Sequence, residues 1–238
     1  MDKKIKLINT LKVDFFKSIK SILDDIEYFC IDIYYMNKYC IFPILNPKFW
    51  DIYKKQISAI WFPEELDFST DYDAYLLLDE HKQHTIKMIL ALFANSDGLV
   101  NFNIQQNLLN DFEKEIQYIY VFQIFMEQIH NETYSLMIET LIRDPKEKQK
   151  LFNSLNEIEI IKEISDWGLK YSNDKNISLK EKILVFICFE GIMFSGAFAF
   201  IYWLKQFMNG KKLMVGLQKS NEFISRDEGM HVEFGINV

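Results

Sequence analysis

Apolar residues recur at helical spacing along most of the chain. The pattern breaks at Trp61-Phe62-Pro63, because the residue before a proline is disfavoured in the α region, and a loop follows at residues 67–73. A helix stop is predicted near Gly98, which would either cap the helix or lie at a local irregularity, and no strand-like alternation persists. The prediction is an all-α fold, with helices over about Phe49–Ile60, Asp79–Ala94, Asp111–Arg143 and Ile158–Tyr171, and another beginning at Ser178.

The stretch Ile183–Leu204 has the length and apolarity of a membrane span. Its single charged residue, Glu190, argues against that interpretation, because an isolated carboxylate in hydrocarbon costs several kcal/mol unless it is protonated, paired or metal-bound. A helix that is apolar on all sides because other helices surround it is the favoured interpretation. Such a helix would direct Glu190 towards a positive partner.

Composition narrows the class of protein. Hydrophobic residues make up 49% and charged residues 26%, as in globular proteins, and no linker rich in proline, glycine or serine divides the chain. The net charge of −7 is opposite in sign to the basic surface that binds phosphate groups, so nucleic acid is not expected as a partner. Three cysteines without metal-type spacing and an N-terminus without a signal-peptide core predict a cytoplasmic protein that is not in a membrane.

Two copies of the pattern Glu-x-x-His carry the candidate chemistry: Glu127 with His130, and Glu228 with His231. Residues three apart share a helix face, so each pair can direct a carboxylate oxygen and an imidazole nitrogen at one metal ion. Two such helices, with one carboxylate from each of two more, make the dimetal site of ferritin-like bundles. The alternative is a buried salt-bridge network, which the scarcity of arginine disfavours.

Longer motifs make the pattern specific. Over about residues 41–234 the chain resembles the radical-generating small subunit of class Ia ribonucleotide reductase, the eukaryotic type most closely. The resemblance implies a ferritin-like di-iron domain over residues 41–238, preceded by a segment of unclear role at residues 1–40. The motifs that carry it are IFP at residue 41, IWFPEELDFSTD at 60, ANSDGLVN at 94, MEQIHNETYS at 126, IRDPKEK at 142, DWGLKY at 166, FEGIMFSGAFAFIYWLK at 189 and SNEFISRDEGMH at 220.

The resemblance also implies a set of site residues. Two iron ions, with manganese as the alternative metal, would each have three ligands, and Glu127 and Glu228 would be able to bridge the pair. Tyr134, one helical turn after His130, would carry a tyrosyl radical. The ligands implied for one ion are Asp97, Glu127 and His130, those for the other are Glu190, Glu228 and His231, and the apolar pocket around the radical would be formed by Phe194, Phe198 and Ile224.

Trp61 and Asp227 match the pair that carries the radical outward in this family, with the carboxylate joining the indole to His130. The implied function is to activate O₂, form the radical and pass it to a large subunit that makes deoxyribonucleotides. A homodimer is implied as well. The chain stops seven residues after His231, where family members continue to a tail that docks on the large subunit, so a C-terminal truncation or a loss of docking is expected.

Two other functions remain open from the sequence. One is a non-catalytic small-subunit homologue that acts as a structural partner. Tyr134 and Trp61 argue against it, because a scaffold needs neither residue. The other is a di-iron oxidase acting on a small apolar substrate, which would require a cavity beside the metals where the phenylalanine-rich sequence suggests a filled core.

Overall fold

The computed structural model describes residues 40–109, 112–208 and 214–238, together with Ser18 and Lys20; the side chains of residues 207 and 208 are not described. It contains two compact units, Met1–Leu45 and Asn46–Val238. The segment predicted over residues 1–40 lies almost entirely outside the described residues. The described residues of the second unit form ten α-helices and no strand, which confirms the all-α prediction.

The helices follow one another with short connections. One π-helical segment, Ile104–Leu108, directly follows a long helix, and a second, Phe189–Met193, lies between two helices; 3₁₀ turns lie at Pro63–Glu65 and Lys205–Met208. The α-helices are α1 Pro47–Ile57, α2 Asp71–Leu76, α3 Glu80–Asn103, α4 Lys114–Leu141, α5 Pro145–Phe152, α6 Ser154–Glu157, α7 Glu159–Asn173, α8 Leu179–Cys188, α9 Ser195–Leu204 and α10 Val215–Asn237.

Polar side chains set the starts of several helices. Asp144 accepts a hydrogen bond from the backbone N–H of Glu147 at 2.8 Å, with Pro145 as the first helical residue of α5. At α8, Ser178 and Glu181 form a reciprocal capping box. These contacts satisfy backbone donors that the first turn of a helix leaves without partners.

The predicted helix stop near Gly98 is wrong. Helix α3 continues through Gly98 to Asn103. A Cβ added at Gly98 would meet no atom within 4 Å, so this glycine lies on an open face of the helix and not at a left-handed cap. The predicted loop at residues 67–73 also differs from the structure, because the short helix α2 begins there at Asp71.

The apolar stretch Leu179–Leu204 forms α8, a π-helical segment and α9. Among the described residues it is the helical stretch long and apolar enough to cross a membrane, a property that core helices share. Phe186, Phe198 and Ile201 are buried in the protein interior, and Glu190 lies among other ionisable side chains. This stretch is therefore packed as a bundle helix.

Asp71 anchors the start of α10, the helix that carries the second Glu-x-x-His pair. Its carboxylate is 1% exposed and accepts hydrogen bonds from the backbone N–H groups of Gly216 at 3.1 Å and Leu217 at 2.7 Å. A Cβ at Gly216 would lie 2.2 Å from the Phe68 ring, so only glycine permits this approach. The contact combines two hydrogen bonds with the positive end of the helix dipole.

Asp71→Ala should destabilise the fold by about 2 to 3 kcal/mol, because two buried N–H groups would lose a charged acceptor. Urea unfolding followed by circular dichroism measures the change. Asp73→Ala is the matched control, since Asp73 is exposed on the same helix. Equal stability losses in the two variants would contradict an anchoring role for Asp71.

Candidate dimetal centre

Six ionisable side chains meet at the centre of the bundle. They come from α3, α4, the π-helical segment Phe189–Met193 and α10. Each is at most 3% exposed; they are Asp97, Glu127, His130, Glu190, Glu228 and His231. The structure thus brings together all the residues predicted as metal ligands, while their role as ligands stays a prediction.

The cluster has the geometry of two adjoining metal sites. Asp97, Glu127 and His130 offer ligand atoms within 4.8 Å of one another. A second group meets the same criterion and consists of Glu127, Glu190, Glu228 and His231. Because Glu127 belongs to both groups, the arrangement can hold two ions side by side.

The two central glutamates span the two imidazole rings. Glu127 places Oε2 3.3 Å from His130 Nδ1 and Oε1 3.0 Å from His231 Nδ1. Glu228 does the same, with Oε1 3.1 Å from His130 Nδ1 and Oε2 3.2 Å from His231 Nδ1. Each carboxylate therefore directs one oxygen to each site, which is the arrangement that a bridging ligand requires.

Burial of four carboxylates together perturbs their protonation. Burial, and then the negative charge of the neighbouring glutamates, raises the pKa of Asp97 and that of Glu190 well above the usual range. Burial acts in the same direction on Glu127, but the hydrogen bond with His130 and the charge of His231 outweigh it and lower the pKa to about 2. Asp97 and Glu190 therefore bind protons more readily than exposed carboxylates do, whereas Glu127 retains its negative charge between the two imidazoles.

The imidazoles share this positive charge. Burial acts to lower the pKa of His231, but its contacts with Glu127 and Glu228 raise the pKa to about 9. The pKa of His130 is raised well above its usual value, against the effect of burial, by hydrogen bonds with Asp227, Glu127 and Glu228.

The residues present fit a pair of metal ions. Both carboxylate oxygens of Asp97, and Oε2 of Glu190, are buried without a hydrogen-bond partner. Unpaired buried oxygens are unfavourable unless a cation or a proton satisfies them. Oxygen and imidazole donors in this ratio suit iron or manganese better than metals that prefer sulfur ligands.

Tyr134 lies in the apolar core beside the cluster. It is 3% exposed, and its ring stacks on Phe93 with 4.8 Å between centroids. Phe194 and Phe198 pack against Phe93 at 5.1 and 4.8 Å. Ile224 belongs to the same buried core. The predicted pocket residues and Tyr134 therefore share one apolar core, in which Phe93 supplies the ring that contacts the tyrosine.

A chain of hydrogen bonds leads away from the cluster. Trp61 Nε1 donates to Asp227 Oδ2 at 2.7 Å, and His130 Nε2 lies 3.2 Å from the same oxygen. Arg226 donates from two nitrogens to Asp227 Oδ1, at 3.0 and 2.8 Å. Burial acts to raise the pKa of Asp227, but the hydrogen bonds with His130, Trp61 and Arg226 lower it. The predicted Trp61 and Asp227 are in direct contact.

The comparison with known proteins identifies the family. A family model described as ribonucleotide reductase, small chain, matches residues 38–238. The chain belongs to the ribonucleotide reductase small-chain family. It is 44% identical over 200 residues to the ribonucleoside-diphosphate reductase small chain of Yaba-like disease virus, which covers 84% of this chain and 60% of that protein. It is 43% identical over 202 residues to human ribonucleoside-diphosphate reductase subunit M2, covering 83% and 50%.

Solved structures agree with the small-chain fold. The Rnr4 homodimer from Saccharomyces cerevisiae superposes with a TM-score of 0.73 at 30% identity, over 83% of this chain and 62% of that one. The dimanganese(II)-NrdF from Streptococcus sanguinis, at 18% identity and a TM-score of 0.72 over 81% and 66%, shares the fold. The fold is the ferritin-like helical bundle that was predicted, and the chain spans 50 to 60% of the length of the two curated relatives.

Two buried contacts around the centre were missed by the sequence analysis. Gln123 is fully buried, and its Nε2 donates to Glu190 Oε1 at 3.0 Å. Phe93 contacts Tyr134 as described above. A usable signal existed for both, because each precedes a predicted ligand by four residues: Phe93 precedes Asp97, and Gln123 precedes Glu127. Residues at this spacing share a helix face.

Removal of a carboxylate shared by both halves of the cluster should lower the number of bound metal ions more than removal of a carboxylate from one half. Because Glu127 directs an oxygen to each half of the cluster, Glu127→Ala should reduce bound Mn²⁺ from about two ions per chain towards none. Asp97→Ala, which removes a candidate ligand from one half of the cluster, should retain about one ion. Metal analysis after anaerobic equilibration measures both. Equal losses in the two variants would contradict a shared role for Glu127.

The stability of the metal-free protein should fall between pH 6.5 and 9. The pKa of His231 is raised from 6.5 to about 9 on folding. The contribution of His231 to folding stability is therefore complete below the pKa of the unfolded state. It is lost as the pH rises through the pKa of the folded state. The groups with lowered pKa, Glu127 and Asp227, lose their contribution only in acid, outside this window.

A thermal melt at several pH values measures this dependence. The metal-free protein should lose a few degrees between the two pH limits, since about 1 kcal/mol shifts the melting temperature by about 2–4 °C in a domain of this size. Protein saturated with Mn²⁺ should show a weaker decline or none, because metal binding prefers deprotonated ligands. If the metal-free protein becomes more stable towards pH 9, the assignment of a stabilising positive charge to His231 is contradicted.

Proposed function

We propose that this chain is the radical-generating small subunit of a ribonucleoside-diphosphate reductase. The observation that carries the proposal is the buried six-residue cluster with Tyr134 one helical turn from His130, in a chain of the small-chain family. Two iron ions would be held by that cluster, with manganese as the alternative. When bound, they would supply the oxidising power of O₂ for the one-electron oxidation of Tyr134.

Asp97, Glu127 and His130 would hold one ion, and Glu190, Glu228 and His231 the other. Glu127 and Glu228 would bridge them, an assignment supported by the pair of distances from each glutamate to the two imidazoles. Gln123 would orient Glu190 through the hydrogen bond to Oε1, leaving Oε2 for the metal. His130 would be oriented by Asp227 on its outer nitrogen, as metal-bound histidines usually are.

Tyr134 would give up a proton together with its electron. Burial first, and then the negative charge of Asp97, raises the pKa of Tyr134 well above its usual value, so the phenol is held neutral. Oxidation of a neutral phenol to a neutral radical must release the phenolic proton. Asp97 is the acidic group with the strongest effect on the pKa of Tyr134, and its carboxylate would accept that proton once a bound cation has replaced the proton that Asp97 otherwise holds.

Phe93, Phe194, Phe198 and Ile224 would protect the radical. All four are buried, and none of their side chains offers a hydrogen-bond donor or acceptor. They exclude water and water-soluble reductants from the phenoxyl ring. The same apolar surroundings destabilise any charged form of the tyrosine, which favours the neutral radical.

Trp61 and Asp227 would carry the radical outward. The carboxylate joins the indole to the imidazole of His130 through short contacts, and the two rings stack at 6.0 Å. Trp61 is 2% exposed, but the next residue, Phe62, is 44% exposed, so the chain of contacts ends near the surface. A large subunit bound there would receive the radical and reduce ribonucleoside diphosphates to deoxyribonucleotides for DNA replication.

The assembly would be a cytoplasmic homodimer that binds this large subunit, without nucleic acid or membrane. The Rnr4 structure from yeast, a relative of the same fold, is a homodimer. Two exposed apolar residues on the N-terminal half of α4, Val121 and Phe125, would suit burial between copies. Neither a purely structural partner nor an oxidase of small apolar substrates is favoured, since the similar proteins are named as ribonucleoside-diphosphate reductase small chains.

Tyr134→Phe should abolish the tyrosyl radical while keeping the metal ions. The change removes one oxygen and should alter stability by about 1 kcal/mol or less. Electron paramagnetic resonance after addition of Fe²⁺ and O₂ measures the radical. Tyr120→Phe is the matched control, because Tyr120 is also buried on α4 and its hydroxyl has no hydrogen-bond partner. Loss of the signal in the control and not in Tyr134→Phe would overturn the assignment.

Trp61→Phe should separate radical formation from nucleotide reduction. The ring stays apolar but loses the N–H that donates to Asp227, so the tyrosyl signal should persist while reduction with a large subunit falls by about 100-fold or more. Trp167→Phe, a half-buried packing change, should leave both unaffected. Unchanged reduction in Trp61→Phe would contradict the proposed path.

A further inference from the structure

A pocket opens between α3, α7 and α8. Its volume is about 320 Å³, including the solvent at its mouth. Most of the lining is apolar, from Leu99, Val100, Leu169, Val185, Phe186 and Phe189. Asn103 and Ser172 add polar groups to the wall, and Asn107 ties these two residues together by donating hydrogen bonds to Asn103 Oδ1 at 2.8 Å and to Ser172 O at 2.9 Å.

The inner wall of this pocket lies next to two of the candidate ligands. Val100 follows Asp97 by three residues on α3, and Phe186 precedes Glu190 by four, so each is one turn from a ligand on the same helix face. One turn of an α-helix is about 5.4 Å along its axis. Phe189, also in the wall, directly precedes Glu190.

Phe189 also connects the pocket to the apolar core around Tyr134. Its ring lies 6.3 Å from that of Phe194, and Phe194 contacts Phe93. Gly168 makes room for this ring, because a Cβ there would lie 2.4 Å from Phe189 Cε2. A path of apolar contacts therefore runs from the pocket to the tyrosine without crossing a charged side chain.

The buried centre needs such a path. Its six candidate ligands are at most 3% exposed, so any reactant from solution must pass through the protein interior. We infer that the pocket lined by Val100, Val185, Phe186 and Phe189 is the binding and entry site through which dioxygen reaches the dimetal centre. This inference rests on the proposed function.

The chemistry of the lining suits dioxygen over other reactants. Dioxygen is uncharged, apolar and small, and apolar surfaces inside proteins accept apolar gases such as xenon. Water, hydrogen peroxide and ionic reductants would each lose hydrogen bonds on entry. The pocket would thus admit the oxidant while withholding the reductants that quench a tyrosyl radical.

Xenon is the first probe, because it reports on gas binding whether or not metal is loaded. Crystals of the metal-free protein pressurised with xenon should show an atom in this pocket, and crystals of Val185→Phe should not. Leu184→Phe is the matched control, since Leu184 is the neighbouring residue on α8 and is 58% exposed. Xenon sites near the centre that avoid this pocket would overturn the inference.

Oxidation kinetics are the second probe. In stopped-flow mixing of Fe²⁺-loaded protein with O₂, Val185→Phe should lower the second-order rate constant for radical formation about tenfold, an added barrier of about 1.4 kcal/mol. Fe²⁺ content and final radical yield should match wild type, which excludes misfolding, and Leu184→Phe should react at the wild-type rate. Leu169→Phe, from the other wall, should repeat the effect.

The outcomes separate this inference from the proposed function. If wild-type protein binds iron and forms the radical, and both filling variants react at the wild-type rate, the inference fails and the proposed function stands. If wild-type protein forms no radical, the proposed function fails, and xenon occupancy still decides whether the pocket accepts an apolar gas. If the protein instead binds an added hydrocarbon in this pocket and oxidises it, the pocket is a substrate site, and the inference that it serves dioxygen entry is overturned.

Discussion

The mutual repulsion of four buried carboxylates is the constraint on which this structure depends. Asp97, Glu127, Glu190 and Glu228 lie together at the centre of an apolar bundle, where charge is costly unless it is compensated. In the metal-free protein, compensation comes from the two histidines and from protons held on Asp97 and Glu190. The cluster is thereby arranged to exchange protons for cations, which is how metal affinity becomes dependent on pH.

Contacts outside the cluster hold its members in position. Gln123 binds one oxygen of Glu190, and Asp227 binds the outer nitrogen of His130. Farther away, Asp71 secures the start of α10 through two backbone N–H groups. These hydrogen bonds stabilise side chains and a helix whose charges would otherwise drive them apart, so the geometry of the centre does not depend on metal alone.

The apolar surroundings have a second consequence. The aromatic core of Phe93, Phe194 and Phe198 keeps water from Tyr134 and leaves its phenol neutral. The same core separates the centre from polar reactants, and under the proposed entry route dioxygen would pass the apolar wall at Phe186 and Phe189. Exclusion of water is thus the single physical property behind both the neutral phenol of Tyr134 and the separation of the centre from polar reactants.

By itself, the sequence determined the helical class, because helical periodicity and few glycines or prolines leave little room for strands. It also determined the candidate ligands, since Glu-x-x-His places two donors on one helix face and the longer motifs named the remaining carboxylates. The sequence pattern placed a helix end at Gly98, but α3 continues there. The glycine lies on an open face, and burial of the apolar neighbours Phe93 and Val100 stabilises the helix around it.

Only the tertiary structure decided how the helices face one another. No local spacing shows that Glu127 and Glu228 each direct one oxygen to each imidazole, that Asp71 reaches α10 from 145 residues away, or that a pocket meets the ligand helices at Phe189. Such contacts join residues distant along the chain. Their distances depend on how whole helices pack, and that packing is set by the sum of many side-chain volumes, which no single motif records.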